Sequence, residues 1–273
     1  MEMPVSLAGR SALVTGSGRG FGRAIATALA GAGASVTVTG RTRSEIDETV
    51  ALIEAAGGRA IAVRGDVRAP GDVAHTVARA AEAFGPVDLM VNNAGIDGPY
   101  GPIGAVDPDA WWAAMEIHLR APLLFMSAVL PAMRERGTGT IINIVSKGAV
   151  RVEPNLSAYC TGKAAATRLT EHVGAETRGS GIAAFALHPG DAVTAFAHAT
   201  LTNPDARKWR PEMIAILQEW QKTVDSDAAL KRCGEICIAL ASGAYDALSG
   251  TYIEAEQDLD RLREEAGRSR ASA

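Results

Sequence analysis

The sequence feature that most constrains the fold is a set of glycines between an apolar segment and an alanine-rich one. Ser11–Thr15 is mostly apolar, glycines follow at positions 16, 20 and 22, and an alanine-rich stretch occupies 23–30. Glycine allows a sharp turn and leaves no Cβ between a helix N-terminus and a phosphate. The pattern predicts strand, turn and helix with a dinucleotide at the turn. The alternative is an ordinary tight turn.

Apolar runs alternate with alanine-rich stretches along the rest of the chain. Runs typical of strands occupy 35–39, 60–63, 87–92, 140–145, 182–187 and 250–253. This alternation predicts parallel strands joined by helical crossovers and buried on both faces. We therefore expect an α/β fold, a single-domain Rossmann-type doubly wound parallel sheet flanked by helices, over 1–255. A charged helix at 258–265 and a frayed tail from 267 are expected within 256–273.

Composition excludes several classes of function. The 273 residues are 47% hydrophobic and carry a net charge of −4, which argues against a nucleic-acid or anionic-membrane surface. The most apolar stretch, 121–133, contains two prolines and is shorter than the ~20 residues of a membrane-spanning helix. The first five residues do not resemble the start of a signal peptide. These features predict a cytoplasmic protein.

The cysteines predict neither a disulfide framework nor a metal site. There are three, at positions 160, 233 and 237. Cys233 and Cys237 have the spacing of one helix face, and no histidine lies near them in sequence. We expect them to pack in the core.

Tyr159 and Lys163 have the i,i+4 spacing that places two side chains on one helix face. A nearby cation favours the phenolate form and is expected to lower the pKa of Tyr159 from about 10 toward neutrality. Ser146 lies at the end of an apolar run, where its hydroxyl can reach the edge of a sheet. The three side chains can transfer a proton, although a solvated helix face is the alternative for the Tyr–Lys pair.

Five motifs in order resemble the short-chain dehydrogenase/reductase family. They are Thr15-Gly16-x-x-x-Gly20-x-Gly22, Asn92-Asn93-Ala94-Gly95, Ser146, Tyr159-x-x-x-Lys163, and Pro189-Gly190 followed by Thr194. The resemblance covers roughly residues 7 to 255. It implies interconversion of a carbonyl compound and an alcohol, with Tyr159 as general acid or base. Ser146 would bind the carbonyl oxygen, and Lys163 would bind the nicotinamide ribose.

The same resemblance implies a cofactor site. Its residues are Gly16, Arg19, Gly20, Phe21, Gly22, Arg41, Asp66, Val67, Asn93, Ala94, Gly95, Tyr159, Lys163, Pro189, Gly190 and Thr194. Asp66 occupies the position that holds the adenine ring, with a turn aspartate as the alternative. Thr194 occupies the position that holds the nicotinamide carboxamide.

The residues at the end of the second strand favour NADP(H) over NAD(H). A carboxylate there would bind the 2′-hydroxyl of NAD, but Gly40 occupies the position and Arg41 follows it. Arg41 and Arg19 suit a 2′-phosphate, with Arg43 as a weaker candidate. The alternative makes these surface arginines, and NAD(H) then remains possible.

His118 departs from the family pattern, which has Asn at this position. That Asn kinks the helix and exposes a main-chain carbonyl to a water linked to the active-site lysine. With His118 the main chain can preserve this proton relay, or the imidazole can itself carry protons. A packed histidine without function is the third interpretation.

Residues 191–223 are too long for a minimal connection and predict a lid beside the ligand. Phe196, Trp209 and Trp220 lie in this segment, and Tyr100 and Trp111 are expected on the opposite wall. These side chains favour a hydrophobic or cyclic ketone, although both tryptophans could instead be core or subunit contacts.

His188 is expected to be structural.

The predicted function is NADP(H)-dependent oxidation and reduction of a small carbonyl or alcohol substrate. An NAD-dependent alcohol dehydrogenase of the same family is one alternative, and a non-catalytic nucleotide-binding sensor is another. By resemblance, the chain is expected to form a homodimer or homotetramer through the helices around 121–134 and 164–177.

Overall fold

Seven strands form one parallel sheet in the computed structural model, which describes residues 5–271. They are β1 Ser11–Thr15, β2 Ser35–Gly40, β3 Arg59–Arg64, β4 Leu89–Asn92, β5 Gly139–Ile144, β6 Ile182–His188 and β7 Thr251–Glu254. Their order is β3-β2-β1-β4-β5-β6-β7, and every neighbouring pair is parallel. The order reverses between β1 and β4, where the loops after the strands diverge and leave a crevice. The predicted doubly wound sheet is confirmed.

The helices lie between the strands, as crossover connections require. They are α1 Gly20–Gly31, α2 Arg43–Ala55, α3 Pro70–Phe84, α4 Pro108–Met115, α5 Ala121–Arg136, α6 Ser157–Glu176, α7 Ala195–Thr202, α8 Pro204–Trp209, α9 Pro211–Thr223, α10 Ser226–Ala241 and α11 Leu259–Ala271. A π-helical turn, Glu116–Arg120, joins α4 to α5. Short 3₁₀ turns occupy Lys147–Ala149 and Asp246–Leu248.

Apolar side chains bury both faces of the sheet. Alternate residues of β1 point to opposite faces, so Val14 packs with α1, α2, α10 and α11, whereas Leu13 packs with α3, α5 and α6. Cys233 and Cys237 are fully buried in the first of these clusters. Their predicted packing role is confirmed.

The helical stretch Pro108–Arg136 is 29 residues long and apolar enough to cross a membrane by length and composition alone. Half of its most apolar 18-residue stretch is buried inside the fold. Asp107 caps its start by accepting hydrogen bonds from two backbone N–H groups, and Pro108 occupies the first turn. Its burial is that of a core helix packed on the sheet.

The C-terminal prediction was wrong over 267–271, because α11 continues to Ala271. Leu259 is buried, and Leu262 and Ala266 pack on the same face of the core, so an apolar stripe holds this charged helix. The last two residues of the predicted tail lie outside the described residues, as do residues 1–4 of the N-terminal prediction.

The segment 191–223 consists largely of three short helices, α7 to α9. Ala197, Leu201 and Leu217 form a small apolar cluster between these helices. Asn203 caps α8 through its side chain. The segment is therefore a packed unit, and its action as a lid stays a prediction.

Candidate active site

All the residues predicted to be catalytic or to form the cofactor site line one cavity at the carboxyl ends of the strands. Its volume is about 460 Å³. The predicted residues in its wall are Gly16, Arg19, Gly20, Phe21, Gly22, Arg41, Asp66, Val67, Asn93, Ala94, Gly95, His118, Ser146, Tyr159, Lys163, Pro189, Gly190 and Thr194. They converge because the loops after parallel strands leave the sheet at the same edge.

The glycine turn after β1 has no space for side chains. Gly16 and Gly20 have φ of +63° and +54°, which glycine adopts readily. A Cβ on Gly22 would lie 2.3 Å from the Gly16 carbonyl oxygen and 2.5 Å from Nδ2 of Asn93. Nδ2 of Asn93 holds the turn by donating to the carbonyl oxygens of Thr15, at 2.9 Å, and Gly16, at 3.1 Å. This cradle at the start of α1 fits a pyrophosphate.

The arginines at the adenosine end differ in their freedom to bind an anion. Arg41 is exposed at the end of β2 and lines the cavity. Arg19 also lines the cavity, but its guanidinium is 3.5 Å from the carboxylate of Glu45. Arg43 pairs with Asp47 at 2.7 Å and is not among the cavity-lining residues. Two of these three arginines therefore line the cavity, with Glu45 as an acidic neighbour that no pattern in the sequence indicated.

Asp66 lies at the predicted adenine position, but its carboxylate is already bound to Arg68. The Arg68 guanidinium donates to it at 2.6 Å, and this hydrogen bond lowers the pKa of Asp66. Arg68 also lines the cavity and was missed, although its position two residues after Asp66 was visible in sequence. The pair fixes the carboxylate at the cavity wall as an acceptor.

Ser146 and Tyr159 meet at the other end of the cavity. Ser146 lies two residues after β5, at the start of the 3₁₀ turn Lys147–Ala149. Its Oγ accepts a hydrogen bond from the Gly148 N–H at 2.9 Å. The Tyr159 hydroxyl shares a hydrogen bond with Ser146, which acts to lower its pKa. Burial acts more strongly in the opposite direction and raises the pKa of Tyr159 to about 12. The phenol is therefore protonated at neutral pH.

Lys163 lies one helical turn after Tyr159, and its ammonium is held by the main chain at the end of β5. Nζ donates to the Ile144 carbonyl oxygen at 2.7 Å and lies 5.8 Å from the Tyr159 ring centroid. Burial lowers the pKa of Lys163 to about 8. The expectation that Lys163 brings the pKa of Tyr159 toward neutrality was wrong for this arrangement, because desolvation of the phenol outweighs the other effects.

His118 is buried in the π-helical turn, at 2% exposure. Its Nε2 is 3.0 Å from the Ile96 carbonyl oxygen, which can only accept, so Nε2 carries the proton. Nδ1 has no hydrogen-bond partner among the described residues. Burial, reinforced by the Lys163 charge, lowers the pKa of His118 to about 3. This environment keeps the His118 imidazole neutral near neutral pH and therefore argues against the hypothesis that the imidazole itself carries protons.

Gly162 explains how the fold accommodates His118. It lies on α6 between Tyr159 and Lys163, and a Cβ there would be 2.6 Å from the Cβ of His118. Helix α6 and the π-helical turn therefore touch at this point. The contact sets the distance between the imidazole and the Tyr–Lys pair.

The wall around the substrate end is partly apolar and partly acidic. The Phe196 ring of α7 lies 6.0 Å from the Tyr159 ring, and Trp220 of α9 also lines the cavity. Ile96 and Asp97, from the loop after β4, lie in the wall as well. Asp97 follows the Asn-Ala-Gly motif by two positions, and no pattern in the sequence indicated it as a site residue.

The expected positions of Tyr100 and Trp111 in the wall were wrong, since neither is among the lining residues. Trp209 does not line the cavity either, which agrees with the alternative of a core contact. Tyr100 is buried, and its hydroxyl lies 3.0 Å from Oγ1 of Thr200. Trp111 donates to Ser157 at 3.0 Å, and the Trp209 ring packs against Gly101. These aromatic residues therefore join neighbouring helices and loops and do not face the cavity.

His188 lines the cavity from the end of β6 and is 5% exposed. Both ring nitrogens lack a hydrogen-bond partner among the described residues, and Nε2 lies 3.7 Å from a carboxylate oxygen of Asp191. Burial lowers the pKa of His188. Its predicted structural role stays a prediction.

Comparison with known proteins places the chain in a family. The sequence profile of the short chain dehydrogenases matches residues 10–205. A short chain dehydrogenase of Pseudocercospora fijiensis is 35% identical over 95% of this chain and 84% of its own length. A cis-4-hydroxycyclohexanecarboxylate dehydrogenase of Sinomonas cyclohexanicum is 35% identical over 90% of this chain and 100% of its own length.

A solved structure supports the same assignment. A gluconate 5-dehydrogenase from Burkholderia cenocepacia, in complex with NADP and tartrate, is 30% identical and has a TM-score of 0.77. The match covers 92% of this chain and 94% of that chain. With the glycine cradle, the Ser–Tyr–Lys group and these relatives together, the chain belongs to the short-chain dehydrogenase/reductase family and is an oxidoreductase that uses a nicotinamide dinucleotide.

Proposed function

We propose that the protein interconverts a ketone or aldehyde and an alcohol with NADP(H), using Tyr159 as general acid and base. The observation that carries this proposal is the meeting of Ser146, Tyr159 and Lys163 in the cavity that also contains the glycine cradle. When bound there, the reduced nicotinamide supplies a hydride to the carbonyl carbon. The chain must then stabilise and protonate the carbonyl oxygen.

The side chains can perform these steps in order. The Ser146 hydroxyl donates a hydrogen bond to the carbonyl oxygen as it becomes negative. The protonated phenol of Tyr159 gives its proton to that oxygen. The ammonium of Lys163 favours the phenolate that remains and can bind the ribose hydroxyls. In the oxidative direction Tyr159 takes the proton back.

In this mechanism His118 stays neutral and acts only by packing beside Tyr159. Its neutral ring packs on Tyr159, while its Nε2–H is held by the carbonyl of Ile96. We assign the proton relay to the main chain of the π-helical turn and to Lys163. In this assignment the main chain keeps the proton relay that the family uses, although His118 stands in place of the family's Asn.

We assign NADP(H) as the preferred cofactor because Arg41 and Arg19 line the adenosine end. Arg41→Ala is expected to weaken NADPH binding roughly tenfold while NADH binding changes little, because a charged hydrogen bond contributes about 1.5 kcal/mol or more. Arg43→Ala is the matched control, since Arg43 pairs with Asp47 outside the cavity. Equal affinity of the parent chain for both cofactors would instead support the NAD-dependent alternative. Fluorescence titration measures both.

The substrate we propose is a small, largely apolar ketone, with cyclic ketones as the first class to test. Phe196 and Trp220 supply apolar surface next to Tyr159. A carboxylated ring, the kind of compound named for the Sinomonas relative, is a second candidate. The test is NADPH consumption, followed at 340 nm, with a panel of cyclic and open-chain carbonyl compounds. Cofactor binding without turnover of any member would favour the sensor alternative.

We also propose a cytoplasmic homodimer or homotetramer without a nucleic-acid or membrane partner. Trp112 on α4 and Leu123 on α5 are 63% and 45% exposed, which supports association through these helices. Light scattering on the eluted protein measures the number of chains. A monomer at micromolar concentration would contradict this part of the proposal.

A further inference from the structure

The substrate end of the cavity holds a carboxylate without a cationic partner. Asp97 lines the cavity and forms no ion pair with the residues of 5–271. Its Oδ2 accepts hydrogen bonds from the Tyr100 hydroxyl, at 3.3 Å, and from Oγ1 of Thr200, at 3.2 Å. Its Oδ1 accepts none from the described side chains and backbone. One oxygen is therefore anchored, and the other remains available to a ligand.

Asp97 lies in the wall of the same cavity as the reacting hydroxyl of Tyr159. Its negative charge contributes to the raised pKa of Tyr159. Thr200, which anchors Asp97, lies on α7 together with Phe196, whose ring contacts Tyr159. A substrate whose carbonyl reaches Tyr159 therefore meets an apolar ring and a carboxylate carried by neighbouring elements.

The other charges around this end do not neutralise Asp97. Asp191 also lines the cavity, but it pairs with Lys147 at 2.9 Å. Arg210 pairs with Glu153 at 2.6 Å and is not among the cavity-lining residues. His118, His188 and Lys163 are the other basic groups at this end. Lys163 keeps its charge at neutral pH, because burial lowers its pKa only to about 8, but its Nζ is held by the Ile144 carbonyl oxygen and forms no ion pair with Asp97. Asp97 therefore carries a negative charge that no ion pair within residues 5–271 offsets.

We propose that Asp97 selects the substrate by charge, so that the enzyme takes amino or hydroxy ketones with an apolar body and rejects carboxylated ones. This inference rests on the proposed function. A hydroxyl or ammonium several ångströms from the carbonyl can donate to Oδ1 of Asp97. A carboxylate at the same place meets like charge in a partly buried site, where two charges interact more strongly than in water. The carboxylated ring considered above is then the poorer substrate.

Four cyclohexanones that differ only at C4 test this selection. They carry methyl, hydroxyl, amino or carboxylate groups, and kcat/KM is measured for each with NADPH at pH 7.5. We expect kcat/KM for the amino ketone to exceed kcat/KM for the carboxylated ketone by roughly tenfold or more, because a carboxylate several ångströms from Asp97 is repelled by like charge. In Asp97→Asn, which keeps an acceptor for Tyr100 and Thr200, this ratio is expected to fall by roughly tenfold.

Thr200→Val is the matched control, because it removes one anchor of Asp97 without changing charge. It is expected to lower the rates for all four ketones by similar factors and leave the amino-to-carboxylate ratio nearly unchanged. A ratio that Asp97→Asn leaves unchanged, or a parent enzyme that prefers the carboxylate, overturns the inference while the proposed function stands. No turnover of the four ketones by the NADPH-bound parent also overturns the inference, and no turnover of any member of the wider carbonyl panel overturns both.

Discussion

The ring of His118 stands edge-on to the ring of Tyr159, with centroids 5.1 Å apart and planes at 85°. The imidazole thereby packs on the phenol that we assign as general acid. Its Nε2–H is held by the Ile96 carbonyl, so its orientation is fixed from the opposite side. A residue that differs from the family's Asn is thus built into the wall behind the reacting hydroxyl.

We predict that His118→Asn leaves the shape of the pH–rate profile unchanged between pH 5 and 9. Burial lowers the pKa of His118 to about 3, so the imidazole stays neutral throughout this range. The value of kcat is expected to fall, because the packing on Tyr159 is lost. Profiles of kcat/KM for the two proteins decide the question. A limb near pH 6 that is present only in the parent would restore the imidazole to the relay.

Gly22→Ala is expected to weaken NADPH binding at least tenfold and to lower the melting temperature. The added methyl would overlap the Gly16 carbonyl and the Asn93 amide, and such overpacking costs about 1–3 kcal/mol. Gly31→Ala, in the same helix, meets no atom within 4 Å and is the matched control. Calorimetry and NADPH titration measure both effects. Equal behaviour of the two variants would contradict the close packing of the turn.

The two directions of the reaction should differ in their response to pH. Burial raises the pKa of Tyr159 to about 12, so reduction, which needs the protonated phenol, keeps its rate as the pH rises through neutrality. Oxidation needs the phenolate, and its rate rises with pH. Lys163→Met removes the cation that favours the phenolate and should move this rise to higher pH. Values of kcat/KM from pH 6 to 10 test this, and an oxidation rate that falls with pH is incompatible with Tyr159 as base.

Glu45→Gln should increase the preference for NADPH over NADH by up to about fivefold, the effect of a partly exposed ion pair. The Glu45 carboxylate lies 3.5 Å from Arg19 and would repel a 2′-phosphate. Glu48→Gln is the control, because Glu48 pairs with Arg23 and does not line the cavity. The ratio of the two dissociation constants is the readout. A ratio that changes equally in both variants would exclude a specific competition at Arg19.

Local patterns were sufficient to predict the sheet and the place of the site. The strand, glycine turn and helix around Gly16 follow from short-range constraints, and parallel strands bring the loops after them to one edge. The convergence of Ser146 with Tyr159 follows from the same topology. These features depend on residue order and strand direction, which a sequence contains.

Contacts between distant segments could not be predicted in the same way. The hydrogen bond from Thr200 to Asp97 joins residues 103 positions apart, and it depends on how α7 packs over the loop after β4. The pKa of Tyr159 was mispredicted for a related reason, since the spacing to Lys163 is visible in sequence whereas burial is not. The sequence likewise offers Arg43 as a phosphate ligand but does not show that Arg43 pairs with Asp47.

The most direct test of the central claim is turnover by Tyr159→Phe with NADPH and a cyclic ketone that the parent enzyme reduces. The ring and its packing against His118 and Phe196 remain, so the dissociation constant of NADPH should stay within about twofold, whereas loss of the general acid should lower kcat by about 10²-fold or more. Undiminished kcat in this variant would contradict proton transfer by Tyr159.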